Sequence, residues 1–149
     1  MIRKALAAYR VKEIRNRIQV IHVMYMVNVR DVEKVPVAKD TYKGKRIWAQ
    51  YLITDKQGAR KFHMRIFTIE PHESTPPDQH IYEHEILVLK GRGRLLTIKD
   101  GDRREVEIGE GDAIFIESNE IHQFFNDHDE PLIFLCIKGT PEIYRECKE

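Results

Sequence analysis

The chain has 149 residues, 42% of them hydrophobic, and a net charge of +1, which fits one domain with a sizeable core and excludes a disordered tail-like protein. Residues 1–23 hold six Lys/Arg against one Glu, a local +5 that leaves −4 for residues 24–149, so the body presents no basic surface for nucleic acid. Cys136 and Cys147 make no disulfide framework, and no run reaches the roughly 18 apolar residues of a membrane span; the expected compartment is the cytoplasm.

Residues 1–23 read as a basic extension ahead of a main domain spanning 24–149. Ile2, Leu6, Ile14, Ile18 and Ile21 suit one face of a short amphipathic helix, which is expected to run into a first strand near residue 18. A membrane-surface helix fits poorly because the apolar face is thin. The stretch IQVIHVMYMVNV is no signal sequence: it contains Gln19 and His22, and no small-residue cleavage site follows. A natural start at Met24 or Met26 would make the leader incidental to function.

From residue 18 onward, short runs rich in Val, Ile, Phe and Tyr predict strands: RIQVIHVMYMV, RIWAQYLIT, KFHMRIFTIE, IYEHEILVLK, GRLLTIK, AIFIE, HQFFN and PLIFLCIKG. Turn signals separate them at Tyr42-Lys43-Gly44, at 55–58, at Asp100-Gly101-Asp102 and at Gly109-Glu110-Gly111. Such spacing predicts an all-β sandwich or barrel rather than alternating strands and helices. The Lys90-Gly91-Arg92-Gly93-Arg94 turn joins two strands instead of opening a helix, so it is no phosphate loop.

Within the run ending in EILVLKGRG, Asp78, His80, Tyr82 and His84 alternate and would share one face of an extended strand. Glu83 and Glu85 have the opposite parity and are expected to point outward. With His122 arriving from a later strand, the nitrogen and oxygen donors suit a divalent transition metal. Asp78 either ligates directly or, being shorter than His, acts through a water or on an imidazole N–H.

These residues resemble the two signature motifs of the cupin superfamily. The first, G-x5-H-x-H-x3-E-x6-G, registers on His72, Asp78, His80, His84 and Gly91; the second, G-x5-P-x-G-x2-H-x3-N, registers on Gly111, Glu117, Asn119, His122 and Asn126. The resemblance covers most of residues 60–139. It is nearest to small single-domain cupins with H-x-H-P-W-E-H-E-x-F-V-L-x-G, in which His replaces the motif Glu. Departures are Asp78 for His, His72 for Gly, Glu117 for Pro and Asn119 for Gly; Asn tolerates the left-handed backbone that Gly otherwise supplies.

The resemblance implies a double-stranded β-helix (jelly-roll) barrel, with a short helical or strand extension before it. Inside it, one divalent ion (Mn, Fe, Ni, Cu or Zn) would be held by His80, His84 and His122 with Asp78 or water. Tyr82, Phe134 and Cys136 would wall the pocket, Cys136 more as a small buried hydrophobe than as a reactive group. The implied activity is a metal-dependent dioxygenase acting on a small chelating organic substrate. The alternatives are an isomerase or lyase with Asp78 or Tyr82 as proton carrier, and a non-catalytic binding module with a structural metal. The lumen reads as apolar, favouring an enolisable or aromatic substrate over a highly charged one. Expected partners are that small molecule and a second copy of the chain in a homodimer, with residues 18–29 crossing to it; no nucleic acid and no membrane are expected.

Overall fold

The computed structural model describes residues 11–14, 17–20 and 24–146. Its strands are β1 (Val11–Ile14), β2 (Arg17–Val20), β3 (Val35–Pro36), β4 (Ile47–Ile53), β5 (Phe62–Ile69), β6 (Glu73–Ser74), β7 (His84–Lys90), β8 (Arg92–Lys99), β9 (Asp102–Gly109), β10 (Ala113–Ile116), β11 (Ile121–Asn126) and β12 (Leu132–Gly139), followed by a short helix, α1 (Pro141–Glu146). All pairings are antiparallel. β1 and β2 make a two-stranded sheet; of the two larger sheets, one runs β10-β7-β12-β5-β4-β3 and the other β6-β11-β8-β9. The two sheets form the expected jelly-roll barrel.

Alternation along the strands fixes which face closes on the lumen. On β12, Leu132, Phe134 and Cys136 are buried and the residues between them only partly so; on β7, His84, Ile86 and Val88 are buried while Glu85, Leu87 and Leu89 are exposed. A one-residue slip would turn each of these sets out to solvent. Phe124 of β11 stacks on Phe134 of β12 with centroids 4.7 Å apart, and Phe67 of β5 lies 5.6 Å from the same ring. These rings join the two sheets across the core. Burying each large side chain such as Ile47, Ile69 or Leu132 contributes about 1.5–3 kcal/mol.

Asn126 is 1% exposed and ties three chain segments together. Its amide donates to the carbonyls of Ile69 (3.0 Å) and Glu130 (2.8 Å), and its Oδ1 accepts from the His128 N–H. Gly91 joins β7 to β8 at φ 84°, where a Cβ would lie 2.3 Å from the Pro131 carbonyl oxygen, so only glycine fits. Asn119 takes φ 61°, as expected for its place in the second motif.

Three expectations need correction. Where the amphipathic helix was expected, residues 11–14 and 17–20 form antiparallel strands, β1 against β2, with Val11 opposite Val20 and Ile14 opposite Arg17. The β-branched Val11, Ile14, Ile18 and Val20 lose less side-chain freedom in strands than in a helix; residues 1–10 lie outside the described residues. Of the strand expected over RIQVIHVMYMV, β2 covers Arg17–Val20, and residues 24–28 join no ladder. Third, the strand carrying the first motif begins only at His84. Residues 79–83 lie outside any ladder, behind Pro76-Pro77, which cannot donate to one.

Candidate metal centre

A turn, rather than a ladder, places the first histidine. His80 sits in the unladdered segment, yet its carbonyl accepts from the Asn119 N–H (2.8 Å), Gln79 Nε2 donates to the Asn119 carbonyl (2.9 Å), and the Ser118 hydroxyl donates to the Ile81 carbonyl (2.6 Å). Asp78 and His122 exchange both backbone hydrogen bonds at 3.0 Å. The second motif's turn thus clamps the first motif's arm. His84 comes from β7 and His122 from β11, so the two sheets each contribute a ring.

One donor nitrogen from each of His80, His84 and His122 lies within 4.8 Å of the others. Among the described residues this is the one such group. Three nitrogens bonded at roughly 2.1 Å to one ion sit somewhat closer together than that, so the rings gather around a common point and would draw in to share an ion. His80 Nδ1 and His84 Nε2 are buried without a hydrogen-bond partner. His122 Nδ1 lies 3.0 Å from the Glu120 carbonyl, which can only accept; that nitrogen therefore carries the proton and Nε2 keeps its lone pair. Orphaned buried nitrogens with a fixed tautomer fit a divalent transition metal.

The electrostatics keep the rings in the ligand form. Burial, then the positive charge of Arg65 and the neighbouring rings, pushes His84 down to about 2. Burial likewise lowers His80 and His122, against opposing contributions from Asp78 and, for His122, from the Glu120 carbonyl. All three imidazoles are neutral at physiological pH, as metal binding requires.

Asp78 lines the same cavity, but its oxygens are engaged: Oδ2 accepts from Lys39 Nζ at 2.5 Å and Oδ1 from the Gln79 N–H at 3.0 Å. Burial raises its pKa, but Lys39, by hydrogen bond and charge, followed by His80 and His122, brings it below the usual carboxylate value. Phe134 and Cys136 line the cavity, and Cys136 is also 1% exposed within the core. Its Sγ lies 3.7 Å from His84 Nδ1, and burial raises the thiol pKa despite Arg65 nearby. Tyr82 stands behind the cavity wall. Its ring is 5.5 Å from those of His80 and Tyr144, with Lys138 Nζ 4.4 Å from its centroid, and Lys138 rather than Tyr82 takes the lining position. Glu83 and Glu85 point outward as expected, and His72 is an exposed loop residue paired with Asp129 at 2.7 Å.

Four ionisable lining residues were not singled out by sequence reasoning: Lys39, Tyr42, Arg65 and Lys138. Strand parity could have found two of them. Arg65 shares parity with Phe67 and Ile69, and Lys138 with Phe134 and Cys136. Lys39 and Tyr42 sit in a connecting segment that has no period to read. Tyr42 is pushed up to about 12, chiefly by burial and then by Asp78, so its hydroxyl stays protonated.

A cupin-domain family model matches residues 65–138. The polyketide cyclase RemF from Streptomyces resistomycificus is 32% identical, with a TM-score of 0.68 over 78% of this chain and 80% of that one. A cupin-2 domain protein from Rhodospirillum rubrum matches at 22% identity and TM-score 0.63, over 79% of this chain and 76% of that one. A predicted oxalate decarboxylase from Thermotoga maritima matches at 18% and 0.61, over 77% and 98%; these last two matches speak to the fold alone. No curated protein matches the chain significantly. The chain belongs to the cupin family, and its barrel carries a histidine cluster able to bind a metal.

Proposed function

We propose that the protein is a metal-dependent enzyme acting on the enol or keto oxygens of a small chelating substrate, with proton transfer rather than oxygen insertion as its chemistry. The observation that supports this most is the company the histidines keep: Asp78, Lys39 and Tyr42, three proton-handling side chains, line the cavity that the histidine cluster opens into. A divalent ion on His80, His84 and His122 supplies Lewis acidity toward a carbonyl or enolate oxygen. Asp78, held by Lys39 and the Gln79 N–H, would accept a substrate proton. Tyr42, protonated throughout the physiological range, offers a hydrogen bond to developing negative charge on oxygen. Phe67, Phe124 and Phe134 give the same cavity an apolar wall. Likeness to a polyketide cyclase at 32% identity supports the same reading.

The dioxygenase reading keeps one observation in its favour: the clustered donors are three histidines and no carboxylate, leaving coordination positions for more than one further ligand. Protein purified without added metal, assayed for its metal content and then with a panel of 1,3-dicarbonyl compounds with and without O₂, separates the readings. Turnover unchanged under anaerobic conditions is expected. Consumption of O₂ in proportion to substrate would replace this reading with the dioxygenase. A melting temperature that falls on chelation, with no turnover of any compound, would favour a binding module with a structural metal.

A further inference from the structure

The cavity beside the histidines has the expected apolar lining in Val37, Phe67, Ile86, Phe124 and Phe134, but it also holds charge. Lys39, Arg65 and Lys138 all line it, against the single carboxylate of Asp78, which Lys39 already engages. Register explains why the other two cations meet. Lys138 of β12 stands directly opposite His84 of β7, and Cys136, two residues back, stands opposite Arg65 of β5. Side chains so paired share one face of the sheet, here the face toward the cavity.

Neither cation has an acidic partner. Arg65 Nε is buried without a hydrogen-bond partner, and the guanidinium's hydrogen bond goes to the Cys136 sulfur at 3.6 Å, with its central carbon 4.9 Å from the Phe67 ring centroid. Lys138 lies over the Tyr82 ring. Among the described residues, no carboxylate is within ion-pair distance of either. A guanidinium cannot shed its proton, and a half-buried charge without a counter-ion is destabilising. A dication on the histidines would add to the imbalance. The cavity is small, about 70 Å³, so the missing negative charge has to arrive on a small ligand.

We propose that Arg65 and Lys138 form a carboxylate-binding subsite, so that the substrate of the enzyme proposed above is a small keto or enol acid whose carboxylate sits between these two cations. A planar carboxylate suits the forked donors of arginine, and the flanking aromatic faces of Phe67 and Tyr82 hold the cations in place. The substrate class rests on the proposed function, whereas the anion subsite does not depend on a metal.

The test separates the two. Malonate is titrated into metal-free wild-type protein and into the Arg65→Met and Lys138→Met variants, followed by melting temperature and calorimetry, with sulfate at equal ionic strength as the control. Malonate is expected to stabilise the wild type more than sulfate does, and each variant to bind it about 10–100-fold more weakly. Each variant should also melt at or above the wild-type temperature without ligand, because an unpaired charge has been removed. Equal stabilisation of wild type and variants, or equal effects of malonate and sulfate, would overturn the subsite. Acetylacetone, which chelates but carries no carboxylate, is then titrated into the metal-loaded proteins, and Arg65→Met should leave its affinity unchanged. Loss of both ligands together in the variants would show a purely structural role and overturn the proposal. Failure of acetylacetone to bind the wild type, with the malonate result intact, would remove the proposed function and leave the subsite standing.

Discussion

Two carboxylates near the barrel mouth are held by lysines, and their surroundings give them different work. Glu73 accepts from Lys45 Nζ, from the Arg46 N–H and from the Ser74 N–H, at 2.9, 3.1 and 2.9 Å. Burial raises its pKa, but the Ser74, Lys45 and Arg46 donors outweigh that and set it below the ordinary value. A lowered folded value means stability that is present above the unfolded carboxyl range and lost as pH falls through the folded one. Glu73→Gln should therefore cost about 1 kcal/mol in urea denaturation at neutral pH, with the gap from wild type closing as pH falls through the lowered folded-state pKa of Glu73. Asp78, facing the cavity, is a functional group by our account. Asp78→Asn should keep the metal, with affinity reduced by no more than about 10-fold, while turnover falls about 100-fold or more; equal loss of metal and turnover would make Asp78 a ligand. At this scale the histidines were legible because their spacing carries a chemical pattern. Arg65 and Lys138 were passed over although their parity matched that of inward residues, because Arg and Lys on a strand usually face solvent.

At the scale of elements, turns do the positioning. The β10–β11 turn at 117–120 holds the His80 segment through Asn119, Ser118 and Gln79, and the β7–β8 turn brings Gly91 against Pro131. Gly91→Ala meets both a left-handed φ and a backbone oxygen, and should cost about 2–4 kcal/mol in equilibrium unfolding. Gly101→Ala has a similar φ, 84°, but nothing within 4 Å, and should cost only about 1–2 kcal/mol. Equal losses would mean that φ alone matters at Gly91. The strands that pack inward were legible from alternation. β9 was not, because DRREVEIG lies with all but Ile108 and Gly109 exposed and offers little apolar signal. The short α1 was also passed over, although Thr140-Pro141 is a helix-start pair. It matters because the Tyr144 hydroxyl accepts from the Glu83 N–H at 2.7 Å and its ring packs on Tyr82.

Over the whole molecule, the histidine cluster spans the join between the two sheets: His84 belongs to the six-stranded sheet, His122 to the four-stranded one, and His80 to the segment between. No helix among the described residues is long and apolar enough to cross a membrane. An ion held at that join would fasten the sheets together, so binding free energy becomes folding free energy. Treatment with a chelator should lower the melting temperature reversibly, and His122→Ala should melt like the chelated protein and not respond to added metal. Whether His80, His84 and His122 hold one divalent ion is decided by metal analysis with X-ray absorption spectroscopy on protein purified without added metal. The expected result is close to one transition-metal ion per chain in a nitrogen-rich site at about 2.0–2.2 Å, lost in His84→Ala. A metal-free protein that cannot be loaded, or an ion retained unchanged in that variant, would contradict it.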